Sequence, residues 1–274
     1  MAAGRAPPRR PPGRDLALAA AAALGLVALL RGAVVEPYLV TSGGMAPTLL
    51  PGDHLLVSKV AYGVHLPFTA FALLRLPPPR RGDVVVFNDP VDPSRRLVKR
   101  VVGLPGEVVE LREQTVLVDG VAQARLELGP LGYLDPAEGE GPDRQDTCRR
   151  WRELLDLGPA RAGPVAGAAS AGPEAWAEGQ ARLAAGAAMG HDVLQCRRLR
   201  AGRREGPFGP VRPGHLFVLG DNRDRSADSR AGWEVAADEV VGRGALVGWS
   251  WGPDGWWPWG RAGVRIDRLF KPVE

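Results

Sequence analysis

Asp83-Val84-Val85-Val86-Phe87 and Leu97-Val98-Lys99-Arg100-Val101-Val102 are two short apolar runs separated by a spacer that contains Pro90 and Pro93. Runs of this length, rich in valine and bounded by proline and glycine, predict β-strands: branched side chains suit a pleated surface, and a helix needs a longer amphipathic repeat. The same reading extends outward to residues 53–59, 107–111 and 115–118, and then to 215–219, 239–243 and 245–249. Asp119-Gly120 ahead of Val121 predicts a tight hairpin, because both residues tolerate the positive φ of a primed turn. Between 128 and 213 the pattern gives way to glycine, alanine, proline and arginine. One candidate helix stands there, over 173–189, favoured by the proline at its start and weakened by Gly179 and Gly186. The chain is mainly β, interrupted by an insertion.

With 274 residues and 45% hydrophobic content the chain can bury a substantial core. Its 35 basic and 31 acidic residues leave a formal charge of +4, a small excess that suits a solvated surface and gives no footprint for nucleic acid. Only Lys59, Lys99 and Lys271 are lysines, so a reaction that needs an amine base has three candidates. His54, His65, His191 and His215 fall in no metal-ligand spacing, and neither a metal nor a cofactor is expected. Cys148 and Cys196 fit either one disulfide, in an oxidising compartment, or two buried thiols.

Near the N-terminus, residues 16–30 form an unbroken apolar run preceded by Arg5, Arg9, Arg10 and Arg14. Extended to residue 35, the run reaches the length of about 20 that spans a bilayer. Positive charge stays on the cytoplasmic side, so the expectation is a basic cytoplasmic segment over 1–15, a single-pass anchor over 16–35 in the cell (inner) membrane, and the rest of the chain outside. A cleaved secretory signal fits the same basic start, but Arg31 stands where a small residue would precede the cut.

Three further segments carry chemistry. Ser42-Gly43-Gly44-Met45-Ala46-Pro47-Thr48-Leu49 follows the apolar run closely. Lys99 sits in an apolar strand that leads into Leu104-Pro105-Gly106; a lysine in a strand is ordinarily exposed, but burial would bring its amine toward the range of a general base. Gly220-Asp221-Asn222-Arg223-Asp224-Arg225-Ser226-Ala227-Asp228-Ser229-Arg230 is rich in side chains that cap turns, and on its own it reads as a structural loop.

Together these segments resemble type I signal peptidase, the bacterial leader peptidase family with a Ser/Lys dyad. The resemblance covers the anchor and residues 40–60, 81–107 and 214–247, with 128–213 in the place of the family's variable insertion. It implies a membrane-anchored β fold whose catalytic core, 36–112 and 213–274, is split by a second β-rich domain at 113–212. It implies an endopeptidase that removes signal peptides from exported preproteins, cutting after small residues, with preprotein signal peptides and the lipid bilayer as partners. Residue by residue, Lys99 falls in the place of the general base, Ser226 in that of the serine orienting it, and Asp228 and Arg230 in that of a supporting ion pair. Ser42 falls in the place of the oxyanion-hole hydroxyl, and Met45 matches its neighbour in the motif.

Gly44 stands where the family has its nucleophilic serine, and a glycine has no side chain to acylate. If the segment is extended, Ser42 lies about 6.6 to 6.8 Å along the strand from residue 44, too far for a ready substitute. A catalytically inactive member that binds preproteins or a partner peptidase is therefore the alternative. A related self-cleaving repressor is disfavoured, because the anchor occupies the place of a DNA-binding domain. Finally, residues 249–259 hold five of the chain's eight tryptophans, which fits either packing on the sheet or resting in the headgroup zone of a bilayer.

Overall fold

The computed structural model describes residues 16–22, 34–65, 72–112, 115–135, 144–156, 173–186, 188–196, 205–252 and 263–273. Among them β-strands dominate. The largest sheet runs in the order β1 (Val35–Leu39), β2 (Asp53–Ser58), β15 (Val240–Gly252), β5 (Val84–Asn88), β6 (Arg96–Gly103), β13 (His215–Leu219) and β14 (Val235–Ala236), with β16 (Gly263–Val264) and β17 (Lys271–Pro272) also paired to β15. Every pairing in it is antiparallel.

Strand β5 shows why valine repeats here. Val84 and Val86 enter one buried cluster with Val40, Met45, Leu49, Leu55 and Val247, while Val85 and Phe87 enter another with Val101, Leu216, Val218 and Val235. A strand covered on both faces has no polar side to show, so it reads as a continuous apolar run. A third cluster joins Val102, Phe217 and Leu219 of this sheet to Val109, Val116 and Val118 and to Leu155. Burial of this kind stabilises by about 25 cal/mol per Å² of apolar surface removed from water.

Two smaller three-stranded sheets lie in the sequence between β6 and β13. One holds β7 (Val109–Arg112), β8 (Thr115–Val118) and β9 (Val121–Ala122). Its turn is the expected hairpin at Asp119-Gly120, with φ of 48° and 79°. The other holds β10 (Ala124–Asp135), β11 (Arg144–Asp156) and β12 (Ala188–Cys196). A two-stranded ribbon, β3 (Gly63–His65) with β4 (Ala72–Arg75), completes the described pairing.

Several expectations are corrected. The runs 239–243 and 245–249 are not two strands: from Val240 on they belong to the single β15, whose pairing shifts register near Gly242, Gly244 and Gly248; the glycines let one strand bend from β5 onto β2. The helix spans Pro173–Ala184 rather than reaching residue 189: Gly186 takes φ of 68°, and Ala188 and Met189 pair with Asp156 and Leu155 instead. Strands β10 to β12 had no alternating signature. Val35 opens β1 opposite Ser58 and does not end a helix. Residues 16–22 are helical, the remainder of the expected anchor through residue 33 lies outside the described residues, and no helix among the described residues is long and apolar enough to cross a membrane.

Candidate active site

Three segments converge on Lys99. Strand β6 carries it to a position only 3% exposed, where its ammonium donates to the Val98 carbonyl at 3.0 Å. Burial pushes the amine down to about 8, against the upward pull of Asp228 and Asp221.

Gly44 lies in a single 3-10 turn, Gly43–Met45, that follows extended Ser42. A Cβ built on Gly44 would stand 3.4 Å from Lys99 Nζ and 3.5 Å from both Cα and Cβ of Ser226. The turn replaces the extended geometry considered for residues 42 to 44. Ser42 itself is exposed and makes no side-chain hydrogen bond to the turn it precedes. Met45 is buried and packs in the core beneath the turn, against Val40, Leu49 and Leu55.

The loop after β13 supplies the third side. Gly220 is demanded there by crowding: a Cβ would come within 2.1 Å of Ser226 Oγ and 2.4 Å of the Gly44 carbonyl oxygen. Asn222 grips the turn of residue 44 at two points, its backbone N–H donating to the Gly44 carbonyl at 3.1 Å and its side-chain amide to the Gly43 carbonyl at 3.1 Å. Arg230 Nε and Nη2 each donate to the Asp228 carboxylate at 2.8 Å, and Gly220 N–H adds a third bond at 3.1 Å. Burial would raise the Asp228 carboxyl, but these bonds and the Arg230 charge outweigh it and hold the group below its usual range.

Sequence reasoning missed a second layer of charge. Arg100 Nε and Nη2 donate to Asp221 at 2.9 and 2.8 Å, and the Thr48 hydroxyl donates to the same carboxylate at 2.5 Å. Arg223 donates to Glu153 of β11 through Nη1 and Nη2. His191 of β12 is wedged between them, 3.4 Å from Glu153 and 3.7 Å from Asp221, and burial together with the neighbouring Arg100 charge holds it well below its usual range. Backbone bonds bind the same parts: Leu194 N–H to Asp221 O and Arg223 N–H to Leu194 O, both 2.9 Å, and Cys196 N–H to the Asp224 carboxylate at 2.6 Å. Cys148 and Cys196 are disulfide-bonded across β11 and β12, and they pack with Leu194 against Ala46, two residues beyond Gly44. The spacing of Glu153 and His191 held no signal, since only strand pairing brings them to the loop.

Trp249 and Trp251 are about half exposed on β15, Trp249 stacked on His54 with ring centroids 4.2 Å apart. The tryptophans at 256, 257 and 259 lie outside the described residues.

A mainly β protein with a buried lysine facing a short turn and a loop rich in ion pairs is a candidate hydrolase scaffold of the Ser/Lys kind. The family model described as signal peptidase, peptidase S26, matches residues 13–249. Signal peptidase I of Pseudomonas fluorescens is 32% identical over 241 residues, covering 83% of this chain and 69% of that protein. Signal peptidase I of Pseudomonas aeruginosa is 32% identical over 243 residues, covering 84% and 70%. A solved signal peptidase I from Enterococcus faecalis is 24% identical and covers 61% of this chain and 97% of its own, with a TM-score of 0.28. The chain belongs to the signal peptidase family.

Proposed function

We propose that the chain is a membrane-bound endopeptidase scaffold of the signal peptidase I type, engaging the signal peptides of exported preproteins, with Lys99 as general base. The observation that carries this reading is the 3.4 Å between Lys99 Nζ and the point where residue 44 would begin a side chain. That separation is right for a hydroxyl on residue 44 to hydrogen-bond the amine and lose its proton to it. Ser226 then orients the amine, and the Asp228–Arg230 pair keeps the loop rigid against it. Ser42 is assigned to the oxyanion site. The covalent route itself is closed by Gly44, because no hydroxyl stands there.

The anchor over 16–35, with an N-terminus on the cytoplasmic side, belongs to this reading. The half-exposed Trp249 and Trp251 support a bilayer-facing surface, since tryptophan favours the headgroup zone. In domain terms, 36–112 and 213–274 form the core and 113–212 the insertion. The second reading, a member that binds preproteins or a partner peptidase without cutting them, is favoured by Gly44 alone.

The test is cleavage of a synthetic preprotein by the detergent-solubilised full chain beside its Gly44→Ser variant. Restoring the hydroxyl is expected to raise the rate by at least ~10³-fold, the scale on which removing a nucleophile acts. Lys99→Ala in that variant is expected to abolish the gain. A Gly44→Ser chain that does not cut overturns the reading.

A further inference from the structure

We propose that the chain as it stands cleaves peptide bonds without an acyl-enzyme, by direct attack of a water molecule lying against Gly44 in the room that a side chain there would take up, with Lys99 as its base. The proposal rests on the reading of the site given above and deepens it.

Gly44 is not required by the fold. A Cβ there would meet its neighbours at 3.4 to 3.5 Å, ordinary van der Waals contact, and the residue is absent from the glycines with positive φ. Gly220, by contrast, would bring a Cβ within 2.1 Å of its neighbour. Glycine at 44 therefore changes the chemistry of the position and not the packing. The room that a Cβ would occupy stays beside the Lys99 amine and the Ser226 side chain, and its floor is held still because Asn222 bonds both the Gly43 and Gly44 carbonyls. A water needs about one probe sphere of space and two to four polar partners. The amine, the Ser226 side chain and the carbonyl of the bound substrate are of that kind. A lysine pushed down to about 8 is substantially neutral in mildly alkaline solution and can accept a proton.

The step balances with water as the sole co-reactant. The water oxygen bonds to the scissile carbonyl carbon while one of its protons passes to Lys99 Nζ. The tetrahedral intermediate then breaks its C–N bond, and the proton on Nζ passes to the departing amine nitrogen. One water is consumed, a carboxylic acid and an amine leave, and no ester forms on the protein.

The experiment compares four forms of the full chain in detergent on one synthetic preprotein: the chain as given, Gly44→Ala, Gly44→Ser and Lys99→Met. Each is assayed for turnover and, after acid quench, for a covalent acyl adduct by intact mass. The chain as given is expected to cut slowly at the bond that Gly44→Ser cuts, with no adduct, whereas Gly44→Ser gives one. Gly44→Ala, whose methyl fills the water's place, is expected to be at least tenfold slower than the chain as given, and Lys99→Met inactive. The proposal is overturned if Gly44→Ala cuts as fast as the chain as given, or if Lys99→Met retains cleavage. It is overturned with the site reading intact if only Gly44→Ser cuts. If Gly44→Ser does not cut either, the site reading falls with it.

Discussion

Asp221 grips Arg100 at two points, 2.9 and 2.8 Å, with both side chains 1% exposed. The pair lies one residue from Lys99 on β6, and because Thr48 donates to the same carboxylate, one buried anion ties the strand, the turn after residue 44 and the loop after β13. Removing one member of a buried pair strands the other charge, so Asp221→Ala is expected to cost about 3 to 5 kcal/mol in unfolding free energy. Urea unfolding of the variant beside the parent checks this, and a loss below about 1 kcal/mol would refute the pairing.

Lys99 makes folding depend on pH in a defined window. Its folded pKa of about 8 lies below the ordinary 10.5, so between these values the unfolded state holds more protons than the folded one. Stability therefore rises with pH across that window; below about 8 the cost of charging the buried amine is felt in full, on the order of 3 kcal/mol. Lys99→Met is expected to be more stable than the parent at pH 7, with the difference closing toward pH 10.5. In Gly44→Ser, kcat/KM is expected to rise with a midpoint near pH 8, because the amine must be neutral to act.

Gly44 and Gly220 make opposite predictions for the same change. Gly220→Ala drives a methyl into the Gly44 carbonyl and Ser226, neither of which can retreat without moving the site, and a loss of about 3 kcal/mol or more is expected. Gly44→Ala fits, and reduced freedom of the unfolded chain should leave it neutral or stabilised by up to about 1 kcal/mol. Thermal melts of both variants decide the point; equal losses would contradict the crowding at Gly220.

The disulfide closes a sequence separation of 48 residues, so Cys148→Ser with Cys196→Ser is expected to cost about 2 to 4 kcal/mol. The staple packs on Ala46 and Cys196 N–H is held by Asp224, so the loss should also reach the site. In the Gly44→Ser background the same double change is expected to lower kcat more than it raises KM. An unchanged kcat would make the staple a matter of stability alone.

Much of this was legible locally. Valine-rich runs marked the strands of the main sheet, and Asp119-Gly120 marked the hairpin between β8 and β9, since short-range sterics decide both. The family motifs around Lys99, Ser226, Asp228 and Arg230 were legible because each is a contiguous segment. Strands β10 to β12 were not, since their glycines, arginines and prolines break the alternation that a half-buried strand shows. The single strand Val240–Gly252 reads in the sequence as two, 239–243 and 245–249, because a glycine-bent strand breaks its own pattern.

By itself the sequence determined the strand-rich character, the family segments and the absence of a hydroxyl at residue 44, all properties of residues near one another in the chain. Tertiary structure alone decided that Glu153 of β11 and His191 and Cys196 of β12 reach the loop of residues 221–224, that Cys148 meets Cys196, and that Lys99 is buried beside Gly44. The physical reason is that a lysine's basicity and an ion pair's worth depend on exclusion of water and on neighbours tens of residues away, and only the packed sheets bring those neighbours together.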